Sequence, residues 1–317
     1  MKRKSGDPRR SAGAGPLTIA GVLSGQWLPV CVLVIFTGVA AHAHGEPVTV
    51  TDDRGVLIHL QQPARRIVTL TPHLTELVFA AGAGDRLAGV ARFSNYPPEA
   101  RVLPVVGDAL HVDVERLLAL KTDLVLAWRS GTPLETVARI ERAGLPVFVS
   151  DARRLEHVGR AILAVAALAG TKESGARAGA AFARGLTELH AARHQGKPLR
   201  VFYEIWPSPL MTVSKEHVIS EIIALCGGVN VFGGLLPLTP EVSLEALLAV
   251  RPEVVLGGSS AETPAAYAAR WAARPLPLSA LPAHYIEPDL IQRPTPRLLD
   301  GVRQVCAHLE SVRASRR

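Results

Sequence analysis

Trp128 and Trp206 are two of the three tryptophans beyond residue 43, and each closes or follows a run that reads as a β-strand. In open α/β sheets, ligands bind beyond the carboxyl ends of the strands. Aromatic faces at such ends suit a large, flat or greasy ligand. Other candidates fall at neighbouring strand ends. His73 follows Arg66–Leu70, while Phe93 and Tyr96 lie in the loop after Leu87–Ala91. Asp289 and Arg293 follow the last strand region and would orient a ligand as one of the few polar groups of a pocket. The competing reading is that the rings cap lobe cores. His73 opens a helix, where it either packs or offers its imidazole to a metal. His111 is a weaker candidate of the same kind. His190 and His194 share a helix face without a third ligand, which fits a solvated face.

Catalytic patterns are missing. No G-x-S-x-G elbow occurs. Gly82-Ala83-Gly84 has the look of a dinucleotide loop, yet it follows a helix and its third glycine is misplaced. No paired acids stand beside a base, so a secreted hydrolase is the distant reading and no enzyme is expected. The three cysteines show no zinc spacing, and neither a cofactor nor a resident metal is expected.

The 317 residues are enough for about two domains. A formal charge of +7 invites nucleic acid, but five of the basic residues lie in the first ten positions. Residues 11–43 carry no Asp, Glu, Lys or Arg, and the remainder nets +3 with no basic patch interleaved with aromatics, which argues against nucleic acid. A basic start, the apolar run 27–40 and Ala41-His42-Ala43 make residues 1–43 a secretory signal peptide. The run is short for a bilayer span, although a retained anchor is the alternative. Arg9-Arg10 and Cys31 are discounted as twin-arginine and lipidation signals. The chain is therefore expected to work outside the cytoplasm, in the periplasm, where disulfides persist.

Strand and helix signals alternate after a hairpin at Val48–Leu60 and resume after Pro198, which implies parallel sheets of the α/β class. The expected domains are an N-terminal lobe 44–170, a bridging helix 171–197 and a C-terminal lobe 198–317. The bridge reads as one helix over Lys172–His194 with Thr171 as N-cap, or as two ordinary helices of one lobe. VDVERLLALKTDLVLAW (Val112–Trp128) aligns without a gap to VSLEALLAVRPEVVLGG (Val242–Gly258), and Thr75–Val78 pairs with Ser220–Ile223. This repeat favours two related lobes. It also puts Glu115 and Glu245 at equivalent places in a first helical turn, where an acid favours the helix dipole.

The segments RIVTLTPHLTELVFAAGAG, FSNYPPEA, VDVERLLALKTDLVLAWRSG, RVFYEIWPSPLMTVSKE, ALCGGVNVF and QRPTPR carry a resemblance. Over roughly residues 65–312 the chain resembles the periplasmic cobalamin-binding proteins of vitamin B12 ABC importers. The wider family includes haem- and siderophore-binding proteins, which supply the alternative of the same fold. The resemblance implies two Rossmann-like lobes, a long bridging helix and a corrinoid in the cleft between them. It implies a monomer with cobalamin as transported ligand and inner-membrane permease subunits as partners. Tyr96, Trp128, Asp289 and Arg293 match family ligand-contact positions. Ile205 and Met211 fall where the family has aromatics, with Trp206 able to compensate. Ala109 and Thr239 replace two expected tryptophans. Glu115 and Glu245 match surface glutamates that dock on the permease, and Cys226 and Cys306 match cysteines that pair. His73 then becomes a candidate ligand to cobalt or iron, and Tyr96 a candidate haem-iron ligand. A solute sensor would use the same pocket.

Overall fold

The computed structural model describes residues 46–192 and 196–316. The expected signal peptide, with Cys31, and the end of the bridge at His194 lie outside the described residues.

Strands β1 (Val48–Thr51) and β2 (Leu57–Leu60) form the expected antiparallel hairpin. Asp52 shapes the turn, its carboxylate accepting the N–H of Arg54 at 2.8 Å and of Val56 at 3.0 Å. The first lobe then runs through β3 (Ile67–Thr69), α1 (Pro72–Ala80), β4 (Leu87–Gly89), α2 (Val114–Ala119), β5 (Leu124–Trp128), α3 (Leu134–Arg142) and β6 (Val147–Ser150). Two helices follow, α4 (Leu155–Ala169) and α5 (Lys172–Ala191). The second lobe comprises β7 (Leu199–Glu204), the short pair β8 (Trp206–Pro207) and β9 (Leu210–Met211), α6 (Val218–Leu225), β10 (Gly228–Asn230), α7 (Leu244–Ala249), β11 (Val254–Gly257), α8 (Pro264–Ala272), β12 (Ala283–Tyr285), α9 (Pro288–Ile291) and α10 (Leu298–Ala314).

Each lobe holds a four-stranded parallel sheet, ordered β4-β3-β5-β6 in the first and β10-β7-β11-β12 in the second. The strand orders correspond one to one, and the correspondence reaches individual side chains. Asp113 caps α2 by accepting the N–H of Arg116, and Ser243 caps α7 by accepting that of Ala246. Lys121 and Arg251 leave those helices with φ of 52° and 43°. Arg66 and Arg200, heading β3 and β7, donate to the terminal carbonyls of Leu120 and Val250. These bonds satisfy acceptors that a helix end leaves orphaned.

Strand side chains alternate between two buried faces. Ile67, Leu124 and Leu126 point into a core that continues through Ile162 and Val165 of α4 to Val201, Tyr203 and Leu256 of the second sheet. Val68, Val125 and Val147 face a separate cluster under Leu117 and Ile140. Phe202 and Val255 face its counterpart around Trp271 and Leu247. One continuous core therefore spans both lobes.

The helix at the bridge ends at Ala191 and lies along α4, which the sequence reading passed over. A Cβ at Gly175 would stand 2.2 Å from the Cβ of Ala166. The glycine that weakens α5 by propensity is thus what lets it sit on α4. Thr171 occupies the N-cap position, but its hydroxyl donates to the Ala81 carbonyl at 2.7 Å rather than capping α5. That is a correction, and it ties the helix to the first lobe. Helix α1 starts at Pro72, one residue before His73, because proline suits a first helical turn.

Cys226 and Cys306 form a disulfide between the end of α6 and α10, with Cα atoms 4.7 Å apart and a separation of 80 residues. Replacing both with alanine is expected to cost about 2–4 kcal/mol of stability. Urea unfolding of the oxidised and substituted proteins checks this, and equal midpoints would contradict it.

Candidate functional site

A cleft of about 490 Å³ opens between the carboxyl ends of the two sheets. Its walls are the residues that follow the strands, as the topology requires. His73, Trp128, Ile205, Trp206, Asp289 and Arg293 all line it. Tyr96 and Met211 are not among the lining residues. The Tyr96 ring instead lies under the Arg297 guanidinium, 4.0 Å from carbon to centroid. Met211 sits opposite Trp206 in the register of the β8–β9 pair. Trp206 is 54% exposed, and its Nε1–H donates to the Ser208 carbonyl at 2.9 Å. Ala109 and Thr239 both line the cleft, so the two absent indoles are absent from its wall.

Trp128 ends β5. Thr132 accepts its backbone N–H at 3.2 Å, and its ring covers Gly131, where a Cβ would meet it at 2.1 Å. The His73 ring stands T-shaped to the same ring, at a centroid distance of 5.4 Å and an interplanar angle of 84°. His73 is the second residue of α1 and is buried. Burial first, and then the Arg293 charge, push its pKa down to about 3. It is neutral, and its ring nitrogens have no hydrogen-bond partner among the described residues.

A second cleft histidine escaped the sequence reading. His217 caps α6, its Nδ1 accepting the Ile219 N–H at 3.2 Å. That acceptor role places the ring proton on Nε2. Burial and then Arg153 push its pKa down to about 4. The signal lay in the repeat, because the pairing of Thr75 with Ser220 sets His217 opposite Pro72, one position from His73.

The charged groups of the wall are three arginines, Arg92, Arg153 and Arg293, and three aspartates, Asp108, Asp151 and Asp289. Arg153 donates to Asp151 at 2.7 Å and to the Ser130 hydroxyl at 3.1 Å, and Ser130 donates to Asp151 at 2.7 Å. Arg293 pairs with Asp289 at 2.7 Å. With both histidines neutral, the wall carries no net charge.

Glu115 and Glu245 are exposed, at the second positions of α2 and α7. The Glu245 carboxyl is held below its usual range by its own backbone N–H and then by the Ser243 hydroxyl. Helix stabilisation therefore accounts for part of its place and leaves the outward face free. Among the described residues, no group of three or more His, Cys, Asp or Glu is arranged to hold a metal ion. No helix among them is long and apolar enough to cross a membrane.

A family model for periplasmic binding proteins matches residues 67–273. The vitamin B12-binding protein of Vibrio cholerae serotype O1 is 35% identical over 251 residues, covering 78% of this chain and 90% of that one. The crystal structure of the periplasmic vitamin B12 binding protein BtuF of Vibrio cholerae superposes with a TM-score of 0.72 at 33% identity, over 79% of this chain and 98% of that chain. The periplasmic heme-binding protein BhuT, in complex with two hemes, superposes at 0.70 with 27% identity, over 78% and 98% of the two chains. The parallel sheets, the cleft at their carboxyl ends and these matches together make the chain a member of the periplasmic binding protein family.

Proposed function

We propose that the protein captures cobalamin or a related corrinoid in this cleft and delivers it, from the periplasm, to an ABC importer. The observation that carries the reading is the wall itself, which joins two indoles to a charge-balanced polar lining. Neutral amide groups around a large ring suit such a wall. Among the described residues, the two carboxylates of haem would meet only one wall arginine not already paired, Arg92, because Arg153 is held by Asp151 and Arg293 by Asp289. The names of the relatives at 35% and 33% identity support the same ligand. The Tyr96 ring, taken up by Arg297, gives no support to ligation of haem iron.

Calorimetric titration of residues 44–317 with cyanocobalamin, and separately with haemin, tests the reading. Tight one-to-one binding of cyanocobalamin with weak binding of haemin is expected. The reverse order would replace the reading with haem uptake. A Trp128→Ala change is expected to weaken cyanocobalamin binding by roughly 1–3 kcal/mol, as for an aromatic anchor. An unchanged affinity would make Trp128 a core residue that only borders the cleft.

A further inference from the structure

We infer that Glu76 is a positioning residue that, through Arg293, ties the first lobe to the second and fixes the width of the cleft. Glu76 lies in α1 and is 3% exposed. A buried carboxylate is costly unless it is paired and hydrogen-bonded. Its side-chain partners all come from the other lobe, in the segment between α9 and α10. Arg293 donates to Oε1 at 2.9 Å, Arg297 donates to the same oxygen at 3.3 Å, and the Thr295 hydroxyl donates to Oε2 at 3.0 Å.

The tie widens from there. Arg293 Nη1 also donates to Asn95 Oδ1 of the first lobe at 2.7 Å. Its Nη2 reaches the Phe93 carbonyl at 3.4 Å and Asp289 at 2.7 Å. Asn95 Nδ2 donates in turn to Asp289 Oδ2 at 3.0 Å. Both terminal nitrogens of Arg293 are thereby spent on the protein, although the residue lines the cleft. Arg297, held by Glu76, carries the Tyr96 ring. Tyr96, Asp289 and Arg293 thus act together as one strut, whose anchor is an acid outside the cleft wall.

Without the Glu76 charge, Arg297, 22% exposed, would lose its acid and Arg293, 12% exposed, would keep only Asp289, leaving excess positive charge in a poorly solvated place. Their repulsion would drive the 293–297 segment away from α1. Breaking one partner of a buried ion pair is costly for that reason. The inference rests on side-chain geometry, and its first readout needs no ligand.

The test labels one exposed leucine per lobe, through Leu118→Cys and Leu248→Cys in a Cys31→Ser chain, and measures the inter-lobe distance distribution by pulsed electron spin resonance. Glu76→Gln is expected to broaden and lengthen the distribution in the ligand-free protein. It is also expected to raise the dissociation rate of cyanocobalamin about tenfold, read by stopped flow. Asn95→Ala removes an exposed arm of the strut and is expected to shift both readouts the same way by less. An unchanged distribution in a folded Glu76→Gln protein, even with lower thermal stability, would overturn the inference. If Glu76→Gln does not fold, an unchanged distribution in Asn95→Ala would overturn it. If the parent protein binds no cyanocobalamin, the ligand reading fails while the distances still decide this one.

Discussion

Lowering the pH from 7 to 4 is expected to remove roughly 3 kcal/mol of stability through His73 alone, at about 1.4 kcal/mol per pH unit. An unperturbed imidazole titrates near 6.5, while in the fold His73 titrates at about 3 and His217 at about 4. Both shifts are downward, so below pH 6.5 the unfolded chain binds protons that the folded chain refuses. Stability is therefore full above pH 6.5 and falls as the pH drops towards the folded values. His217 adds a smaller share because its pKa is pushed down only to about 4, and its protonation also deprives the Ile219 N–H of its acceptor. Glu76, moved upward by burial against the pull of Arg293 and Arg297, contributes to the pH slope in the opposite sense, because the folded chain takes up that proton before the unfolded chain does. Urea midpoints between pH 7 and pH 4 should fall in the parent protein and fall less in a His73→Leu variant. Parallel curves would contradict the assignment of His73.

Reversing both exposed acids, Glu115→Lys with Glu245→Lys, is expected to leave cyanocobalamin affinity unchanged and reduce corrinoid uptake by cells at least tenfold. Both glutamates stand exposed on helices that the repeat makes equivalent, so a partner with two like halves would meet the same carboxylate twice. Charges at such a surface steer encounter and fix register, and reversal turns attraction into repulsion. Uptake rising again with ionic strength in the variant would mark the effect as electrostatic. Uptake equal to the parent's would remove these residues from the docking surface.

Much of the fold was legible because its signals are local. The repeat at Val112 and Val242 is a run of matched residue types, and it marks the same helix and strand in both lobes. Trp128 and Trp206 could be found because strand ends are predictable and tryptophan is rare here. Helix α4 was missed for a physical reason. It packs against both lobes, so its alanine-rich run is apolar nearly all round and shows no single stripe. His217 was missed because histidine is an uncommon N-cap, and only its geometry reveals the role. The Glu76 strut was illegible in principle, since Glu76 and Arg293 are 217 residues apart and no spacing rule joins them. The stacking of the Tyr96 ring under Arg297 was equally illegible, since no spacing rule joins those two residues either.

The continuous core has a consequence for anyone who would redesign this protein. Because Ile162 and Val165 of α4 belong to the same packed cluster as both sheets, neither lobe is a part that can be exchanged whole. A transplanted lobe would have to match the shape of its neighbour side chain by side chain. The loops at the strand ends carry no such burden. Ala109 and Thr239 sit there, lining the cleft and outside the packed clusters. New selectivity is best written into those positions, with the scaffold beneath them left untouched.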